Sequence, residues 1–99
     1  MSRGQANVRT TAYKKLLATL PEHIQEAAEG VYRRFLRNPN DPALANHSLK
    51  DTKKGRHRAG SRAVSVTLRY RAIFVTDGPT NVWYWIGSHE DYNNLVGKI

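Results

Sequence analysis

The side chains in this chain that could carry chemistry lie mostly in its second half. Foremost are His89 and Tyr92, three residues apart, and Arg71 upstream of them. An imidazole takes or gives a proton near neutral pH. A guanidinium holds two phosphate oxygens at once, and a phenol can donate a proton or stack on a base. Together they could serve a transfer in which RNA's own 2′-hydroxyl attacks the adjacent phosphorus, a reaction that asks for a base, a cation and an acid. Each also has a plain reading. His89 could be a surface histidine that caps or packs, Arg71 an outward arginine paired with Glu90 or Asp91, and Tyr92 an anchor for the C-terminal tail. Lys50, Lys53, Lys54, Arg56, Arg58, Arg62 and Arg69 form a candidate phosphate-binding strip, or else a solvated basic loop, and His57 within it could assist. His23, His47, His57 and His89 are scattered, with no pair at the i, i+4 spacing of a helical zinc site. There is no glycine-rich phosphate loop, and Ser61, Ser65 and Ser88 have no triad around them. No metal and no cofactor is expected.

The elements that must position these residues can be read from periodicity. Arg62 to Leu68 alternates, with Val64, Val66 and Leu68 on one face. Tyr70 to Thr76 is a second β-rich run, placing Arg71, Ile73 and Val75 together. Asp77 to Asn81 holds Gly78 and Pro79 and reads as a hairpin loop. Val82 to Ile86 resumes the alternation, which places Trp83 and Trp85 on one face; such a pair could stack on nucleotides, or at least one could be core. Short loops between sequential strands predict an antiparallel meander. Ser88, three residues before Asp91, predicts a helix N-cap just ahead of His89.

Upstream, Met1 to Asn7 is polar, with room for one short strand over residues 6–9. Thr10 or Thr11 can cap a helix running to about Thr19, with Tyr13, Leu16, Leu17 and Leu20 at helical spacing. Pro21 suits the first position of a second helix, along which Ile24, Ala28, Val31 and Phe35 make one apolar stripe as far as Asn38-Pro39. Residues 38–60 form a long polar connection in which Leu44 and Leu49 should dock on the core. A connection of that length is functional or disordered more often than incidental.

With 99 residues and a formal net charge of +8, the chain should form one domain, 1–99, with a polyanion or an acidic protein as partner. From Lys50 to Arg71 there are eight of the chain's 16 Lys and Arg against one acid, Asp51. The absence of cysteine excludes a disulfide framework and thiolate chemistry and suits a reducing cytoplasm. No apolar run reaches the length of a membrane span, and no secretory signal is evident.

The order of helix pair, basic loop, three-strand meander and short tail resembles the RelE/ParE superfamily of toxins from type II toxin–antitoxin systems. The residues carrying the resemblance are Leu20-Pro21, Asn38-Pro39, Leu49-Lys50, Tyr70-Arg71-Ala72 and the closing run from Trp83 to Tyr92, which resembles one RelE-like subgroup; the match covers roughly residues 8 to 96. The resemblance implies an α+β, RelE-like fold: an N-terminal helical hairpin on a small antiparallel sheet of three to four strands, with a short C-terminal helix. It implies a cytoplasmic, metal-free endoribonuclease, an mRNA interferase that cuts mRNA on the ribosome with 16S rRNA contacts, inhibits translation, and is silenced by a cognate antitoxin. His89, Arg71 and Tyr92 would then be catalytic. The superfamily also holds non-enzymatic gyrase inhibitors of ParE type, and an inactive basic RNA-binding relic would share the fold. RelE-type enzymes carry basic residues on the strand before the Tyr-Arg motif; Ala63 and Ser65 stand there in this chain.

Overall fold

The computed structural model describes residues 6–97; Met1 to Gln5, part of the polar N-terminal stretch read above, lie outside it. The elements in chain order are β1 (Ala6–Arg9), α1 (Thr11–Ala18), α2 (Glu22–Arg37), a 3-10 turn (Pro42–Leu44), β2 (His47–Ser48), β3 (Ser61–Thr67), β4 (Tyr70–Asp77), β5 (Thr80–Ser88) and α3 (His89–Val96). The fold is α+β, as expected, but the sheet has five strands instead of three or four, in the order β1-β5-β4-β3-β2. The short strand expected over residues 6–9 is present as β1, parallel to β5; the strand beyond expectation is β2, which pairs with β3 over two residues.

Local chemistry accounts for most element ends. The Thr10 side chain accepts from the backbone N–H of Tyr13 and caps α1, supplying an acceptor that the first helical turn lacks. Pro21 lies one position earlier than expected, as the N-cap of α2. Gly78 takes φ +60° in the β4–β5 turn, a conformation glycine adopts without steric cost. No helix among the described residues is long and apolar enough to cross a membrane.

The helices α1 and α2 cover one face of the sheet, and its centre is Trp83. Its ring meets Tyr32 and Phe35 edge-on, at centroid separations of 5.3 and 4.9 Å, and stacks on Phe74 at 5.1 Å. Its indole N–H donates to Asn7 Oδ1 on β1 at 3.1 Å, so burial leaves no orphaned donor. Arg9 ties the same corner, 2.6 Å from Glu29 and 4.1 Å above the Tyr32 ring. Leu44 docks fully into this core, as expected. The opposite face is covered by α3, with Tyr92 and Val96 packed on Ala63 and Ile73, and Leu49, Tyr84, Trp85 and Leu95 around them.

Two expectations about strand faces fail for a shared reason, an extra residue in a ladder. In β5 the register shifts so that Ile73 pairs with Trp85 and Phe74 with Trp83, leaving Tyr84 as a bulge. A bulge inverts the alternation beyond it. Trp83 therefore enters the helix-side core while Trp85 goes to the α3 side, and the two do not share a face. In β3 a shift between Ser65 and Thr67 ends the alternation early. Leu68 leaves the face of Val64 and sits at the hairpin tip, 91% exposed.

Candidate active site

Two loci meet at one end of the α3-covered face, the start of α3 and the β3–β4 turn; the edge strand β2 lies further along α3, paired with the first half of β3. Ser88 caps α3, its hydroxyl accepting from Asp91 N–H at 3.1 Å, so His89 is the first residue of the helix and is exposed. The His89 N–H donates to the Arg69 carbonyl at 2.6 Å, which joins the helix start to the turn. Tyr92 lies three positions on, on the same side of the helix, and its ring stacks on His89 at 6.0 Å with 19° between planes. Tyr92 is buried, and burial raises its phenol pKa, with the Arg71 guanidinium pulling weakly the other way.

The phenol oxygen of Tyr92 is 3.4 Å from His47 Nε2. His47 comes from β2, and because it pairs with Ala63 it shares the α3-side face; its Nδ1 faces the Ala45 carbonyl at 2.9 Å. Sequence reasoning left His47 among the scattered histidines. Only its position two residues before the docking Leu49 could have hinted that it turns toward the core. Lys50 lines a groove with His47, Leu49 and Val96 beside this locus.

Arg71 belongs to the same face. Its Nη1 donates to the Thr67, Leu68 and Tyr70 carbonyls at 2.8, 3.2 and 3.1 Å, and it makes no ion pair with Glu90 or Asp91. One amino group is therefore committed to holding the turn, and Nη2 and Nε are left for other contacts.

The basic residues do not form one strip. Lys54 and Arg56 lie against the C-terminal end of α3, where Arg56 N–H donates to the Leu95 carbonyl at 2.6 Å, and Lys53 is exposed on the same loop. That end lies about 10 Å along the helix from His89 at 1.5 Å per residue. Arg58 N–H donates to the Tyr84 hydroxyl at 2.9 Å, and its guanidinium lies over the Tyr84 ring. Arg62 alternates onto the face of Val64 and donates to Asn46 Oδ1 at 2.8 Å. Arg69 stands exposed at the turn. The His57 imidazole is buried inside its own loop, with Nε2 3.0 Å from the Lys50 carbonyl and 3.8 Å from Asp51. It organises the loop from within. Among the described residues no three His, Cys, Asp or Glu side chains gather as a metal site would need.

The described residues thus form an α+β scaffold that carries an imidazole–phenol–imidazole row of His89, Tyr92 and His47. The family model of the ParE-like toxin domain matches residues 22–94, and the chain belongs to that family, within the RelE/ParE superfamily. No curated protein sequence matches the chain. Among solved structures, the chain is similar to the toxin–antitoxin complex RelBE2 from Mycobacterium tuberculosis, with 20% identity, a TM-score of 0.65, and 88% of this chain and 100% of that one covered. It is similar to YafQ from E. coli, at 12% identity and TM-score 0.68 over 89% and 97%. It is also similar to the RelB–RelE antitoxin–toxin complex from Methanococcus jannaschii, at 15% identity and TM-score 0.60 over 88% and 95%. At these identities the likeness is one of fold.

Proposed function

We propose that this toxin is a ribosome-dependent endoribonuclease that cuts mRNA and so stops translation, with His89 and His47 as the proton-transfer pair on either side of Tyr92. The carrying observation is the row itself: the His89 ring stacked on Tyr92 at 6.0 Å, and the Tyr92 phenol 3.4 Å from His47. One imidazole takes the 2′-hydroxyl proton and the other returns a proton to the leaving 5′-oxygen. Nη2 and Nε of Arg71 meet the phosphate as charge builds on it. Tyr92, buried and held neutral by that burial, sets the spacing of the two imidazoles and can donate a hydrogen bond. Lys50, Lys53, Lys54, Arg56 and Arg58, with Arg69, contact RNA phosphates of the message and of 16S rRNA. A cytoplasmic site of action follows from that substrate.

The partner in this reading is a cognate antitoxin with an acidic, amphipathic segment, drawn by the +8 charge. The RelBE2 and RelB–RelE structures are complexes of a toxin with its antitoxin. The ParE-like family match favours a second reading, inhibition of DNA gyrase without RNA cleavage. Inducing the wild type, His89→Ala and His47→Ala in bacteria and mapping mRNA 5′ ends separates the two. New in-frame cuts, reduced about 100-fold or more in either variant, are expected. Growth arrest with DNA-damage signalling and intact mRNA would instead establish the gyrase reading.

A further inference from the structure

The β3–β4 turn places only Leu68 and Arg69 between the paired residues Thr67 and Tyr70. Two-residue hairpin turns ordinarily need positive φ to match strand twist, yet neither Leu68 nor Arg69 has it. The irregularity beside it, between Ser65 and Thr67, supplies local twist, and hydrogen bonds brace the turn. Three of its carbonyls accept from Arg71 Nη1, Arg69 N–H donates to Thr67 Oγ1 at 3.1 Å, and the Arg69 carbonyl accepts from His89 N–H. This stapled tip presents Leu68, 91% exposed, to water. Leu68, Arg69 and Tyr70 together with Ser88, His89 and Glu90 line one concave site.

We infer that Leu68 is an apolar wedge against which one unstacked nucleobase packs, next to the phosphate presented to His89; this rests on the ribonuclease reading above. The site suits a base more than a protein surface. A lone leucine is far smaller than the ~1,000 Å² a specific protein interface needs, whereas a base has an apolar face and carries its own phosphate toward Arg69 and Arg71. Tyr70 provides the second wall. Arg71 then has two duties: Nη1 braces the wedge, and its remaining nitrogens meet the phosphate.

The test uses ribosomes programmed with messages carrying an abasic nucleotide at each position of the A-site codon in turn, and compares cleavage by the wild type, Leu68→Ser and Leu68→Phe. One position is expected at which removing the base slows the wild type about tenfold, within the range for one stacked base. Leu68→Ser should cut the intact message about as slowly, with no further loss at the abasic site, and Leu68→Phe should restore the base dependence. All three should share one Tm, because Leu68 is exposed and belongs to neither core cluster. If Leu68→Ser and the abasic message lower the rate independently, the wedge is wrong. The same holds if Leu68→Ser weakens ribosome association alike for every message, which would make Leu68 a contact with the ribosome itself. A wild type that cuts no message on the ribosome would overturn the ribonuclease reading, and the wedge with it.

Discussion

At the scale of single residues, the titration of Tyr13 offers a direct check on the helix-side core. Tyr13 is 1% exposed, and burial pushes its phenol up to about 12, against a smaller opposing pull from Arg9. In the unfolded chain a tyrosine ionises near 10. Between about pH 10 and 12 the unfolded chain has lost a proton that the folded chain keeps, so stability falls as pH rises through that window and is unaffected by this group below it. The expected loss is roughly 2–3 kcal/mol across the window, read from urea midpoints at successive pH values. Tyr13→Phe should flatten the slope, and Tyr92, whose phenol burial raises in the same sense, contributes to what is left. The residue scale also shows what a sequence can disclose of a site. His89 and Tyr92 were readable as neighbours because three positions of helix put them on one side. His47 was not, because only the β2–β3 pairing and the return of α3 bring it to Tyr92. The engagement of Arg71 Nη1 depends on a turn geometry that no residue type announces.

At the scale of elements, both helices of the hairpin were legible from their apolar spacing and caps, and β3, β4 and β5 from alternation and turn residues. What alternation could not disclose was a single inserted residue, since a bulge changes no residue type and yet reverses every side chain beyond it. The bulge at Tyr84 gives the basic loop its anchor. The Tyr84 hydroxyl accepts from Arg58 N–H and lies 2.7 Å from Ser61 Oγ, while that Oγ donates to the Arg58 carbonyl at 2.6 Å. Ser61 is fully buried, so the network closes the loop onto the start of β3. Tyr84→Phe should therefore destabilise the fold by about 1–2 kcal/mol. Amide exchange should quicken over residues 50–60 while β4 and α2 keep their protection; uniform protection in the variant would show that the loop is held elsewhere. Strand β2 escaped notice because two residues are too few to show any period.

At the scale of the whole molecule, the pairing of β1 with β5 joins the two ends of the described chain. It is parallel and long-range, so local patterns could place the strand at residues 6–9 but not its partner. The positive charge was legible as a quantity but not as a distribution: the fold divides it among the loop around the end of α3, the helix-side face at Arg62 and the hairpin tip at Arg69. The same inversion at Tyr84 has an optical consequence. The chain holds two tryptophans, and the bulge sends them to opposite sides of the sheet, Trp83 wholly enclosed and Trp85 half-buried against Gly87. Their emission should separate into a blue-shifted component that iodide does not quench and a redder one that it does. Trp85→Phe should leave only the first, a reporter of global unfolding. Trp83→Phe should leave a lamp that responds to whatever settles on the α3 side, so that one molecule signals folding and occupancy in different colours.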